Sequence, residues 1–429
     1  MIKILNTKNK NFDTALSKLL SKRKIKVKSN TTYVTKIIND VKKNGDKSIL
    51  KYEKRFNKNN IIIPNAEQIS RSIKSLDKKV KKAIDLAYKR IYKFHSLQKF
   101  KNISYTDNLQ NKLEYKFIPI ESVGIYVPGS TASYPSTVLM NAIPALIAGV
   151  KRIVMVNPGK RGIQNPAVLY AAKKCKISEI YSIGGPSAIA GLAYGTKKIK
   201  KPVDKIVGPG NSYVVAAKKE VFGDVGIEGM IAGPSEVTIV CDKFSNPDWV
   251  ASDLIGQAEH DNLAQCILIS KDKTFVYKVK KSLLEQLKSL PRASIAKKSL
   301  SSNGILMCIK SEKKIIEIIN KIAPEHLELN IKNYKKVVKK IMNAGSICLG
   351  KYAVMAMTDY SIGSNHILPT SGSAKFSSGL SVFDFYKRIS YINLSKKGIE
   401  SLAPSVITLA NFEGLQGHAK SVELRTRRK

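Results

Sequence analysis

Four of the chain's five histidines lie beyond residue 250 among polar or glycine-rich neighbours. Gln257 and His260 stand three apart in Gln257-Ala258-Glu259-His260. His326 directly follows Glu325 in Ala323-Pro324-Glu325-His326-Leu327-Glu328. His366 has Asp359 seven residues before it, and His418 ends Glu413-Gly414-Leu415-Gln416-Gly417-His418. Imidazoles combined with a carboxylate suit zinc, while an uncommitted Glu-His pair suits proton transfer. Taken singly, each histidine reads first as an ordinary surface or core residue. Gln257 and His260 read equally well as a helix end at which a histidine meets the negative end of the dipole. The fifth histidine, His95, sits on a lysine-rich helical stretch and reads as structural.

These residues need rigid elements to hold them. Ser245, Asn246 and Pro247 form a helix start, a capping side chain followed by a first-turn proline. Trp249, Val250, Leu254, Ile255 and Ala258 continue at helical spacing toward His260, between strand-like runs at 237–241 and 265–269. The proline before Glu325 presents that acid and His326 at a strand start. From Ser122 onward strands and helices alternate. Glycine-containing turns follow three strands, at Pro128-Gly129, Gly184-Gly185 and Gly208-Pro209-Gly210-Asn211. A second alternating set has strands near 237, 265, 304, 326 and 346. Such alternation predicts an α/β fold with two tandem, incomplete Rossmann-like doubly wound sheets, and such sheets bind ligands beyond their strand ends. No turn carries a complete Gly-x-Gly-x-x-Gly fingerprint, since Tyr213 stands where the third glycine would follow Gly208 and Gly210. Residues 11 to 105 read as helices, the first ~20 residues as a separate arm, and the stretch after Gly372 as rich in serine, glycine and aromatics before a short mixed tail with basic Arg425 to Lys429.

A chain of 429 residues with 43% hydrophobic content is long enough for two or three substantial cores. Its net charge of +42 invites a nucleic-acid reading. The lysines are scattered over every segment, however, with no basic block interleaved with aromatics, so nucleic acid is not the expected partner. No apolar run has membrane-span length and the amino terminus lacks signal-peptide character. Five widely spaced cysteines in apolar surroundings read as reduced core residues, and a cytoplasmic location is expected.

Eight motifs, in order, resemble those of the histidinol dehydrogenase family. They are Val127-Pro128-Gly129, Pro135-Ser136-Thr137-Val138-Leu139-Met140-Asn141-Ala142, Gly208-Pro209-Gly210-Asn211, Ala232-Gly233-Pro234-Ser235-Glu236, Gln257-Ala258-Glu259-His260, Ala323-Pro324-Glu325-His326-Leu327-Glu328, Asn365-His366-Ile367-Leu368-Pro369-Thr370 and Phe376-Ser377-Ser378-Gly379-Leu380-Ser381-Val382. The resemblance spans roughly residues 30 to 425.

It implies zinc-dependent, two-step NAD-linked oxidation of L-histidinol to L-histidine through an aldehyde, the last step of histidine biosynthesis. By motif position Gln257, His260, Asp359 and His418 would hold one zinc per subunit, and Glu325 and His326 would be the acid/base pair. Ser235, His366 and Glu413 would touch substrate, together with the zinc ligands and His326. Tyr126, Ser187 and Asn211 would lie against NAD. His418 and Glu413 would come from the partner of a homodimer with shared active sites. The implied division is an N-terminal helical arm at 1–25, an α/β domain of 26–110 plus 235–379 carrying the zinc and catalytic residues, a Rossmann-like NAD-side domain at 122–233, and a C-terminal segment at 380–429 reaching the partner. The two terminal segments would serve dimerisation. Two departures fall on the cofactor side: Ser187 replaces a common glutamine and Ser130 a frequent glycine. The competing expectations are a dehydrogenase of the same fold acting on another amino alcohol or a diol, and a zinc hydrolase that uses Glu325 without NAD.

Overall fold

The computed structural model describes residues 2–6, 11–23, 31–129, 134–159, 161–228 and 233–427. Ser130, Ala232, Arg428, Lys429 and the stretch 24–30 therefore lie outside the described residues. In chain order the strands are β1 (Lys3–Asn6), β2 (Ile103–Thr106), β3 (Lys112–Pro119), β4 (Ser122–Tyr126), β5 (Arg152–Val156), β6 (Glu179–Tyr181), β7 (Lys205–Val207), β8 (Gly226–Ile227), β9 (Glu236–Cys241), β10 (Gln265–Ser270), β11 (Ile305–Cys308), β12 (His326–Asn330), β13 (Ser346–Leu349) and β14 (Tyr386–Asn393).

Two compact units divide the chain: residues 1–98 with 121–384, and residues 99–120 with 385–429. The first contains two parallel sheets, of order β6-β5-β4-β7-β8 and β1-β11-β10-β9-β12-β13. Apart from the edge strand β1, successive strands in each step outward on one side of a central strand, β4 or β9, and the chain then returns to its other side. The order reverses between β4 and β7 in one sheet and between β9 and β12 in the other, as the alternating grammar predicts.

Burial on both faces explains the composition of the central strands. Val237, Ile239, Cys241, Cys266 and Leu268 point into a core formed with the helices Pro247–Ala258, Lys273–Gln286 and Ala293–Asn303. Their neighbours Val240, Ile267 and Ile269 point the other way, onto the isoleucine-rich helix Glu312–Ile322. All five cysteines are free and buried, as expected of reduced core residues. Among the described residues no helix is long and apolar enough to cross a membrane.

The ends of the chain depart from the sequence reading. Lys3–Asn6 is a strand paired in parallel with β11, and Phe12, Leu16 and Leu19 enter the core beneath it. Four residues carry too little pattern to declare a strand that forms only against an existing sheet edge. The helical reading through residue 105 fails at its end. Ile103–Thr106 pairs antiparallel with β3, and β3 with β14, forming the three-stranded sheet of the second unit. Alternation of Leu113, Tyr115 and Phe117 was the available signal. The stretch after Gly372, given no helix in the sequence reading, contains the helices Lys396–Phe412 and Gln416–Thr426, the first obscured in sequence by Gly398 and Pro404.

Candidate functional site

The helix Glu312–Ile322 ends at Ala323, whose φ of 47° turns the chain out of the helix. Pro324 has no amide to continue it, and β12 starts at His326 between β9 and β13. Strand alternation sends Leu327 and Leu329 into the isoleucine-rich core and leaves His326 and Glu328 for the opposite face. There Glu328 accepts the Met355 amide at 2.8 Å and anchors the short helix Met355–Tyr360, which carries Asp359.

His326 Nε2 consequently lies 3.9 Å from Asp359 Oδ1 and 4.0 Å from Glu325 Oε1. His366 joins from the following loop, its Nδ1 2.8 Å from the Asp359 carbonyl oxygen. That loop is fixed by Asn365, whose side chain donates to the Met140 carbonyl at 2.7 Å. Burial holds the pKa of His326 down to about 3, helped by His366 and His260, and that of His366 down to about 4. Both imidazoles are therefore neutral near pH 7, and His326 Nδ1 has no hydrogen-bond partner. Burial pushes the Asp359 carboxyl up to about 7 and raises Glu325 well above the usual carboxylate range.

Gln257 is buried in the last turn of the helix Pro247–Ala258, whose start is capped by Asn246 as expected. His260 falls just past the helix end instead of within it, with its amide donating to the Gln257 carbonyl at 3.3 Å. The ring keeps an open side to solvent, although surrounding atoms lower its pKa. Ser235 immediately precedes β9, and its carbonyl accepts the Gln265 amide at 2.9 Å. Glu413 and His418 belong to the second unit, where both are exposed, one capping the helix Lys396–Phe412 and the other in the helix Gln416–Thr426.

Within the first unit, Ser235, Glu325, His326, Asp359 and His366 lie around the amino ends of β9 and β12, toward which the helices Pro247–Ala258 and Glu312–Ile322 direct their carboxyl ends. Partial negative charge there favours a cation. Among the described residues, no group of three or more His, Cys, Asp and Glu is placed to hold a metal. His260 and Asp359 are nevertheless of types that hold zinc, and Gln257 would offer a neutral amide oxygen beside them. Gln257 Nε2 is buried without a hydrogen-bond partner, and exchanging the amide's two ends would offer its oxygen instead.

The other sheet has its polar features at the carboxyl ends of β4 and β7. Tyr126 closes β4, and its hydroxyl accepts the Gly185 amide at 3.1 Å. Gly208, at φ 100°, admits no side chain, because a Cβ would stand 2.3 Å from the Tyr126 carbonyl oxygen. Asn211 caps the helix Ser212–Glu220 through the amides of Tyr213 and Val214. Ser187 is buried and donates to the Gly184 carbonyl at 3.0 Å, so its hydroxyl faces back into the turn.

Two buried charges missed in the sequence hold these turns. Glu53 accepts the Gly184 amide at 2.7 Å, and Lys218 donates to the Gly208 carbonyl at 2.6 Å. Their helical spacing was a usable signal, since Glu53 lies four residues after buried Ile49 and Lys218 four after buried Val214.

A histidinol dehydrogenase family profile matches residues 20–426. The chain belongs to the histidinol dehydrogenase family. It is 79% identical over 429 residues to the histidinol dehydrogenase of Pelagibacter ubique (strain HTCC1062), covering 100% of both chains. Identity to the histidinol dehydrogenase of Acinetobacter baylyi is 44% over 430 residues, covering 99% of this chain and 100% of that one. A crystal structure of histidinol dehydrogenase from Elizabethkingia anophelis superposes with a TM-score of 0.93 at 36% identity, covering 99% of this chain and 98% of that one. Membership in the histidinol dehydrogenase family makes the chain an oxidoreductase of histidine biosynthesis acting on a small molecule, in a family that is generally NAD-dependent. Full-length similarity of this degree does not favour another amino alcohol or a diol as substrate.

Proposed function

We propose that the protein oxidises L-histidinol to L-histidine in two NAD-linked steps at a zinc site shared between the subunits of a homodimer. The observation that carries this reading is the convergence of Glu325, His326, Asp359 and His366 at the amino ends of β9 and β12, with His326 within 4.0 Å of both carboxylates. Gln257, His260 and Asp359 would hold zinc together with His418 of the partner subunit, and Ser235, His366 and Glu413 of the partner subunit would contact substrate. When bound, zinc supplies a Lewis-acidic anchor for the substrate's nitrogen atoms and NAD supplies the hydride acceptor.

The remaining chemistry belongs to the side chains. Neutral His326 takes the alcohol proton in the first oxidation. Glu325 draws a proton from water in the second, in the carboxylate form that the Glu236 amide favours through its hydrogen bond to Oε2 at 2.7 Å. Tyr126, Asn211 and the turn around Ser187 form the NAD side. Support for NAD there comes from the strand-order reversal between β4 and β7, and from helix amino ends suited to phosphate. We assign the chemistry to two functional halves, residues 122–233 on the NAD side and 26–110 with 235–379 on the zinc side. Residues 1–25 and 380–429 are assigned to dimerisation. Leu402, Val406, Leu409 and Phe412 support a partner, forming an exposed stripe along the helix Lys396–Phe412, with Phe412 90% exposed. Free cysteines fit a cytoplasmic setting.

The deciding experiment is the NADH formed per L-histidinol consumed by purified, zinc-loaded protein, with and without a chelator. Two equivalents, abolished by chelation and restored by zinc, are expected. One equivalent, or turnover indifferent to chelation, would overturn the reading.

A further inference from the structure

We infer that Glu236, paired with Arg23, is a positioning residue for Glu325 and thereby governs the second oxidation more than the first. The inference rests on the role given to Glu325 above. Glu236 opens β9, and the register that sets Val237 opposite His326 brings the Glu236 amide against the Glu325 side chain. That amide donates to Glu325 Oε2 at 2.7 Å, a charge-assisted bond when Glu325 is ionised. Glu325 Oε1 is the oxygen left toward His326.

The Glu236 side chain turns away to make its own connections. Its Oε1 accepts the Ser371 amide at 2.9 Å and lies 3.3 Å from Arg23 Nε. Arg23 donates through Nε to Gln265 Oε1 at 2.6 Å and through Nη1 to the Ile322 carbonyl at 2.7 Å. The Ser371 hydroxyl returns a bond to the Arg23 carbonyl at 3.1 Å. Arg23 thus holds Glu236, whose amide grips Glu325, and also the helix end three residues before Glu325. Both members of the pair are buried, at 3% and 1% exposure. A buried ion pair is weak support for stability, because desolvation offsets much of its attraction. Its place on both sides of Glu325 gives it a geometric task instead. A shift of that carboxylate impairs the step in which it must meet water, whereas the alcohol proton goes to His326.

The test uses zinc-loaded full-length protein. NADH formation is followed from L-histidinal, and in single turnover from L-histidinol, where the first and second equivalents are resolved. Glu236→Gln keeps the backbone donor and removes the charge pair. It is expected to slow aldehyde oxidation about tenfold more than alcohol oxidation, as small misplacements of a reacting group do, with zinc content unchanged. Arg23→Lys should show the same bias more weakly, and it carries the comparison if Glu236→Gln does not fold. In a Glu325→Gln background, adding Glu236→Gln should have no further effect on the aldehyde step. Equal slowing of both steps, or full additivity in that background, would overturn the inference. Normal aldehyde oxidation by Glu325→Gln alone would instead remove the role assigned to Glu325, and the inference with it.

Discussion

Replacing Lys218 by methionine should change stability in a way that depends on pH. Lys218 is fully enclosed, and its ammonium group donates to the Gly208 carbonyl at 2.6 Å. Burial pushes its pKa from 10.5 down to about 8. Carrying the charge inside the folded protein at neutral pH therefore costs about 3 kcal/mol. Lys218→Met removes that cost but leaves the Gly208 carbonyl unpaired, a loss of about 1–3 kcal/mol. The two effects oppose each other near neutrality, so wild type and variant should then differ little. Between the folded and unfolded pKa values the unfolded chain binds more protons, and wild-type stability gains from rising pH. The variant lacks that gain. The difference, wild type minus variant, should grow by about 2–3 kcal/mol between about pH 7 and about pH 10. Paired urea unfolding curves at each pH measure it, because titrations common to both proteins cancel. A difference that stays constant or shrinks with pH would refute the buried ammonium and its tether to the turn after β7.

Two further outcomes can be checked. His418→Asn should lower zinc occupancy, and mixing it with a Glu325→Gln/His326→Asn chain should restore part of the activity; no restoration in verified heterodimers would count against a shared site. Glu328 lies buried beside Asp253, and burial together with that neighbouring charge raises its pKa above the ordinary carboxylate value. The folded state then binds the extra proton, so stability present at low pH is lost as pH rises through the raised value. Glu328→Gln retains an acceptor for the Met355 amide and should gain stability relative to wild type from about pH 5 to about pH 9; thermal melts showing the opposite trend would exclude this account.

The parts of the fold that were legible in sequence are those where local pattern and tertiary demand agree. The buried strands β9 and β10 read as apolar runs because both of their faces are covered, and Asn246-Pro247 marked its helix start because capping is a local interaction. Four residues at β1 could not announce a partner three hundred positions away. The helix Lys396–Phe412 carries Gly398 and Pro404 where propensity alone argues against a helix. On the site, Glu325 and His326 stood out as chemically active types in one turn. Arg23 and Glu236 did not, because the bond from the Glu236 amide to Glu325 is created only by the pairing of β9 with β12. His260 fell beyond its helix since helix ends depend on a few terminal hydrogen bonds that spacing cannot resolve.

The two sheets of the first unit use opposite ends: the carboxyl ends of β4 and β7 on the one hand, the amino ends of β9 and β12 on the other. Backbone dipoles make the first end hospitable to an anion and the second to a cation before any side chain is chosen. On the function proposed above, dinucleotide and metal would fall on loops that do not share a strand terminus. Substitutions at one set of strand ends would then leave the helix dipoles at the other set in place.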